Sequence, residues 1–158
     1  MSAFLPTLRV MHQSDALVMA ALGPVCVAVW RKQPTRASFD VQHALLESAV
    51  ESNQGHAAFL CVIEDGTDPP EQKLREASAQ MISSLKDELV GVACVVEGAG
   101  FRAAISRTVL SSIMLLARAM PPVRVFDSTE SAAPWLSTRL GGLNMAGLAQ
   151  SLALVRRG

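Results

Sequence analysis

The chain has 158 residues, of which 50% are hydrophobic and only 4% aromatic, and its formal net charge at pH 7 is zero. This length is sufficient for one domain that buries about 70% of its unfolded surface. The balanced charge and the absence of tyrosine argue against a nucleic-acid partner and favour self-association, because little net charge keeps copies of the chain apart.

The first elements in the chain are three short apolar segments. "LRVMHQ" and "ALVMAAL" are close enough to form an antiparallel pair, and Gly23-Pro24 marks a turn into "VCVAVW". Residues 16–30 resemble a signal or membrane segment, but they are too short to span a bilayer and are divided by that turn. We therefore predict an antiparallel extension at one sheet edge, no stable membrane insertion and a cytoplasmic location.

From residue 24 onward, β-branched runs alternate with stretches of helical spacing, which predicts four βα units. The units are residues 25–31 with a helix over 38–53, "AAFLCVIED" with a helix capped at Asp68, "LVGVACVVE" with a helix over 100–119, and "VRVFD" with a helix that carries Trp135. Continuous apolar strands are typical of a parallel sheet covered on both faces. We predict a single α/β domain over 1–158, with a core over 8–140 and a C-terminal helical extension over 143–157.

The cysteines Cys26, Cys61 and Cys94 all lie inside apolar runs. An odd number without a close C-x-x-C pair argues against a disulfide framework or a zinc site and fits a reducing compartment. The histidines have no metal-ligand spacing, and the common nucleophile and P-loop motifs are absent from the sequence. We therefore predict no metal, no cofactor, no catalytic residues and no enzymatic activity.

Polar residues follow the predicted parallel strands, whose carboxyl ends meet at one edge of the sheet. Any ligand is expected at that edge. The candidate ligand-binding residues are Glu64, Asp65, Glu97, Gly98, Gly100, Arg102 and Asp127. The alternative is that the acidic residues only stabilise the positive ends of the following helices.

The stretch "VVEGAGFRAA" formally matches the dinucleotide pattern G-x-G-x-x-G/A at Gly98, Gly100 and Ala103. In that pattern a ribose-binding acid is expected about twenty residues later. The next acid in this chain is Asp127, which lies too far along. We interpret the glycines as a tight turn between a strand and a helix.

The helix after this turn is apolar over an unusually wide arc. We predict that Phe101 fills the core beneath the turn and that Arg102 faces solvent or pairs with Glu97. The predicted core stripe comprises Phe101, Ala104, Ile105, Thr108, Val109, Ser112, Ile113 and Leu116. Two explanations for the wide arc remain open, namely coverage by the C-terminal segment "GLAQSLALV" or by another subunit.

The order of elements resembles the SpoIIAA-like fold of STAS domains, particularly uncharacterised bacterial STAS-like proteins. The similar features are "VWRKQPT", "VVEGAGFRAA" and "RVFDSTESAAPWL", within residues 8–140. The resemblance implies a four-turn βα superhelix, here with the N-terminal antiparallel extension and an extra C-terminal helix. It also implies a regulatory or interaction module without enzymatic activity.

The chain departs from the STAS pattern at two positions. In anti-sigma factor antagonists a serine in a D-S-S-G or D-x-S-G turn is phosphorylated, whereas this chain reads "EDGTDPPEQ", where Thr67 is the only hydroxyl. Pro134 also lies near the start of the Trp135 helix, where proline is tolerated only in the first turn. The leading hypothesis is therefore binding of a protein partner or self-association, and the alternative is a protein or enzyme that binds a nucleotide, lipid or anion at the strand ends.

Overall fold

The computed structural model describes residues 7–157. Its strands are β1 (Leu8–Gln13), β2 (Leu17–Leu22), β3 (Val25–Trp30), β4 (Ala57–Ile63), β5 (Leu89–Val96) and β6 (Val123–Phe126). Its helices are α1 (Arg36–Asn53), α2 (Gln72–Ser84), α3 (Phe101–Leu116), α4 (Thr129–Arg139) and α5 (Leu148–Arg157). The predicted α/β class and the four successive βα units are confirmed.

The strands form one six-stranded sheet in chain order, β1-β2-β3-β4-β5-β6. The pairs β1–β2 and β2–β3 are antiparallel, and the pairs from β3 to β6 are parallel. The predicted antiparallel extension at one edge is therefore confirmed, and α5 is the predicted extra C-terminal helix.

Successive side chains of a strand point to opposite faces of the sheet, and here both faces are apolar. Helices cover both of them. On one face, called the three-helix face, α1, α2 and α3 pack over sheet residues such as Met19 and Phe59. On the other, called the two-helix face, α4 and α5 pack over residues such as Val27 and Leu60. All residues of β3 are buried, as expected for a strand that is covered on both faces.

Helix α1 starts at a capping box. The Ser38 amide donates to Thr35 Oγ1 at 3.2 Å, and the Thr35 amide donates to Ser38 Oγ at 2.9 Å. This arrangement satisfies two amide groups at the helix start and places the first helical residue at Arg36 rather than at the predicted Ser38.

Helix α2 starts later than predicted. Its N-cap is Glu71, and its first residue is Gln72. A proline disfavours helical geometry in the residue before it, so Pro70 keeps Pro69 out of the helix. The prediction of Asp68 as the N-cap was therefore wrong. Pro69 and Pro70 therefore keep the segment extended, and Asp68 pairs instead with Arg102 at 3.2 Å.

Helix α3 turns a different side to the sheet from the one predicted. Its buried residues are Ala103, Ser106 and Val109, whereas Phe101 is 81% exposed and Leu116 is 47% exposed. The prediction that Phe101 fills the core was therefore wrong. Apolar residues all around this helix gave the pattern no unique direction, so the spacing did not show which side would face the sheet.

The C-terminal helix does not cover α3. Helix α5 contacts α4 and β1, and its Leu148 and Leu152 belong to the core of the two-helix face. Of the two explanations for the apolar α3, coverage by the C-terminal segment is therefore excluded.

Pro134 lies inside α4, beyond its first turn. The prediction that proline would be tolerated only in the first turn was therefore wrong. Pro134 is on the exposed side of the helix, where water can bind the carbonyl group that the missing amide leaves free.

Candidate functional site

The carboxyl ends of β4 and β5 place Glu64 and Glu97 side by side. The Glu64 amide donates to the carbonyl of Trp30 at 3.0 Å, and the Glu97 amide donates to the carbonyl of Ile63 at 3.0 Å. These bonds extend the parallel pairing by one residue past each strand. Two of the predicted site residues are thus brought together at the edge where a ligand was expected.

An arginine from α5 lies between these two glutamates. Arg156 Nε donates to Glu64 Oε2 at 2.8 Å, and its Nη1 donates to Glu97 Oε2 at 3.0 Å. A further bond joins Arg156 Nη2 to Glu97 Oε1. Arg31 completes the cluster, with Nε at 3.4 Å from Glu64 Oε1 and Nη2 donating to the Arg156 carbonyl at 2.7 Å.

This four-residue cluster, here called the arginine clasp, is neutral and mostly shielded from water. The side chains of Arg156, Glu64 and Glu97 are 24%, 21% and 25% exposed. Hydrogen bonding to Glu97 raises the pKa of Arg156, although burial acts in the opposite direction. The strand-end glutamates are therefore satisfied by the protein itself, and they offer no free charge to a ligand.

The turn at Gly98 and Gly100, beside the clasp, requires glycine because of its backbone conformation and, at Gly98, because there is no space for a side chain. Gly98 has φ +90°, and a Cβ atom at that position would lie 2.4 Å from Asp65 Oδ1. Gly100 has φ +97° and is the N-cap of α3. Backbone of this kind favours glycine, which supports the interpretation of the stretch as a turn.

The other predicted site residues lie outside the clasp. Arg102 Nη1 donates to the Gly66 carbonyl at 2.8 Å and to Asp68 at 3.2 Å. Of the two alternatives predicted for Arg102, the side chain faces solvent and does not pair with Glu97, because Arg156 occupies that carboxylate. Asp127 accepts a bond from Ser131 at the start of α4 at 3.2 Å, as expected for the alternative in which this acid stabilises a helix start.

A second region of interest lies on the three-helix face. It is a cavity of about 120 Å³ between the sheet and helices α1, α2 and α3. Side chains such as Phe59, Met81, Val92, Leu110 and Ile113 line it. It is open to solvent in part, and exposed Asp68 and the half-buried prolines before α2 are among the residues that line it.

The polar groups around this cavity are few and mostly paired within the protein. Trp30 Nε1 donates to Gln42 Oε1 at 2.9 Å, and Thr67 Oγ1 donates to the Trp30 carbonyl at 3.2 Å. Thr67 is also only 5% exposed. A phosphoryl group on Thr67 would therefore have to displace core packing, which argues against the phosphorylation switch of the resembled family.

The cavity also contains two thiols. Cys61 and Cys94 are neighbours in the β4–β5 register, and both line the cavity. Burial raises the pKa of Cys94 to about 12 and raises that of Cys61 well above its ordinary value. Both thiols are therefore protonated near neutral pH, where the reactive thiolate is scarce.

Comparison with known proteins gives one structural match. No protein-family model matches the sequence, and no curated protein matches it. The fold is similar to that of an uncharacterized protein of the DUF3478 family, with a SpoIIAA-like fold, from Shewanella loihica PV-4. The identity is 16%, the TM-score is 0.46, and the match covers 86% of this chain and 98% of the other. The similarity concerns the layout of the fold and carries no information about a ligand or partner.

Among residues 7–157, no cluster of histidine, cysteine, aspartate or glutamate has the arrangement of a metal site. In the same part of the chain, every helix is too short or too polar to traverse a bilayer.

Sequence reasoning missed both the clasp and the cavity. The clasp joins Glu64 to Arg156 across 92 positions, and Arg156 gave no local signal except its place in the last turn of a helix. The wide apolar arc of α3 was the one signal for the cavity, because the cavity is lined by part of that arc. The three-helix face therefore offers a second candidate site, in addition to the predicted one at the strand ends.

Proposed function

We propose that the chain is a non-enzymatic binding module that holds a small apolar ligand in the cavity of the three-helix face. The observation that carries this proposal is an apolar cavity of about 120 Å³ that reaches the surface. Apolar cavities of about 150 Å³ in other proteins stay dry and bind benzene. Binding of an apolar molecule in a cavity of this kind therefore lowers the free energy, because it removes apolar surface from water and adds van der Waals contacts.

The chemistry of the site supports binding rather than catalysis. Its thiols are protonated near neutral pH, as their raised pKa values require. The strand-end carboxylates, where an anion or nucleotide was expected, are engaged by Arg156. The free cysteines also favour a reducing compartment, and a cytoplasmic location is therefore part of the proposal. We also propose that the chain is a single domain.

A cavity-filling variant tests this function. Ile113 lines the cavity from α3, whereas Thr108 lies on the exposed side of the same helix. With α-methylstyrene as the probe, Ile113→Trp should abolish binding and Thr108→Trp should retain it. At a probe concentration of about one hundred times Kd, the free energy of unfolding should rise by about 2.7 kcal/mol in the wild type and in Thr108→Trp.

Thermal unfolding with and without α-methylstyrene measures this difference. A wild-type protein whose stability does not change up to the solubility limit of the probe would contradict the proposal. Equal stabilisation of both tryptophan variants would place the binding site elsewhere.

A second candidate function is self-association through the outer side of α3. Leu115 is 87% exposed and Phe101 is 81% exposed, and α5 packs on the opposite face of the sheet. A second copy of the chain is the occupant favoured here, because a net charge of zero creates little repulsion between copies.

Sedimentation velocity over a range of concentrations tests self-association. The wild type should dimerise and Leu115→Glu should remain monomeric, whereas Thr138→Glu, at an exposed position of α4 on the two-helix face, should dimerise like the wild type. A wild type that is monomeric at every concentration would argue against this candidate.

A further inference from the structure

Two buried side chains on the cavity wall have hydrogen-bonding groups that the protein does not use. The first is the amide of Gln42, a residue that is 4% exposed. Its Oε1 accepts from Trp30 Nε1 at 2.9 Å, and this orientation is required because the indole nitrogen can only donate. The Nε2 group therefore points away from the indole, and it donates to no other residue within 7–157.

The second is the hydroxyl of Ser106, which is also 4% exposed. Five of the other six hydroxyls in α2 and α3 donate to carbonyl groups of their own helix. Those residues are Ser78, Ser84, Thr108, Ser111 and Ser112. The Ser106 hydroxyl makes no such bond to any described residue, although it faces the sheet side of α3.

Both groups are open to the cavity rather than sealed in the core. In the described part of the chain, every side-chain nitrogen or oxygen that is sealed from solvent has a partner. Gln42 and Ser106 both line the cavity, so their free groups have access to its open space. A buried polar group without a partner is costly, and it is normally satisfied by water or by a ligand.

We propose that the ligand of this cavity is an apolar molecule with a neutral acceptor oxygen, which is bound by a donor on the cavity wall, either the Gln42 amide or the Ser106 hydroxyl. This inference rests on the proposed function. An acceptor is required because the free group of Gln42 can only donate, and the hydroxyl of Ser106 can donate as well. Ketones, esters and ethers have this chemistry.

The charge around the cavity excludes an anionic ligand from this class. No lysine or arginine is among the described residues that line it, and the carboxylate of Asp68, which does line it, is paired with Arg102. A carboxylate or phosphate inside the cavity would lose its hydration without gaining a positive partner. A neutral oxygen loses far less hydration and gains a hydrogen-bond donor.

Two probes of nearly equal shape separate the oxygen requirement from simple apolar binding. Acetophenone carries a carbonyl oxygen where α-methylstyrene carries a methylene group. Ser106→Ala is a suitable variant, because removing a hydroxyl with no protein partner leaves no other group unpaired. Ser78→Ala is the matched control, since Ser78 also lines the cavity but its hydroxyl donates to the Leu74 carbonyl at 2.8 Å.

Isothermal titration calorimetry gives the affinity of each variant for each probe. If Ser106 is the donor, Ser106→Ala should weaken acetophenone binding by about 2- to 12-fold, the loss expected for one neutral hydrogen bond, and should leave α-methylstyrene binding unchanged. Ser78→Ala should change neither affinity. If Gln42 is the donor, its side-chain amide should shift in nuclear magnetic resonance spectra with acetophenone and not with α-methylstyrene.

The possible failures are distinguishable. If neither probe binds the wild type, the proposed function itself fails. If both probes bind, but Ser106→Ala alters the two affinities alike and the Gln42 amide does not distinguish the probes, the cavity binds apolar molecules without an oxygen requirement. That result overturns this inference and leaves the proposed function intact.

Discussion

On the two-helix face, α5 is held by fully buried leucines and by the arginine clasp, whereas on the three-helix face α3 leaves a cavity over the same strands. Leu148 and Leu152 are each 1% exposed, but Leu110 and Ile113 on α3 are only half-buried and line the cavity. Both faces therefore have a large buried core, and on the three-helix face that core also borders a cavity.

The largest expected difference between the two faces comes from truncating one leucine on each of them. Leu152→Ala should lower the free energy of unfolding by about 2–5 kcal/mol, because it creates a new cavity in close-packed core. Leu110→Ala should cost about half as much, because part of its side chain already borders open space. Denaturant unfolding measures both, and equal losses would show that the two faces are packed alike.

Removing the clasp arginine should have the next largest effect. Arg156→Met keeps the aliphatic stem but leaves Glu97 without its partner and Glu64 with Arg31 alone, so we expect a loss of about 1–3 kcal/mol in the free energy of unfolding. The control is Arg157→Met, at an exposed neighbouring position, which should change stability by less than about 0.5 kcal/mol. If the two variants unfold at the same denaturant concentration, the clasp does not hold α5.

A smaller effect is expected in the pH dependence of stability, through a thiol on the three-helix face. Burial raises the pKa of Cys94 to about 12. Below pH 9, the ordinary value, the thiol is protonated in both the folded and the unfolded chain, and stability does not depend on it. Above pH 9 only the unfolded chain releases the proton, so stability falls as pH rises towards 12.

The expected slope is about 1.4 kcal/mol per pH unit for each such thiol. Cys94→Ala should therefore lose stability less steeply than the wild type above pH 9. Denaturant unfolding at several alkaline pH values measures the slopes. Identical slopes for the two proteins would mean that Cys94 ionises freely in the folded state.

Much of the fold was predictable because local patterns determine it. The run "FLCVI" has the apolar, β-branched character of a strand that is buried on both faces, and β4 covers it. Gly98 and Gly100 marked a sharp turn, and their positive φ values agree with it. These signals act over a few residues, so they survive in the sequence without knowledge of the tertiary structure.

The site was less predictable, because it depends on packing between distant elements. The apolar arc of α3 showed that the helix would be buried widely, but it did not show that Ser106 rather than Phe101 would face the sheet. The partner of Glu64 is a residue of the last helix, and no local spacing connects them. The position of the cavity likewise follows from how three helices meet the sheet.

The two tryptophans of the chain lie on opposite faces of the sheet. The indole of Trp30 lines the cavity and donates to Gln42, whereas Trp135 packs with Phe126 on the two-helix face. A molecule that enters the cavity changes the polarity around one indole and leaves the other as it was. The intrinsic fluorescence of the protein thus contains both a reporter of occupancy and an internal reference, and Trp135→Phe would leave the reporter alone in the spectrum.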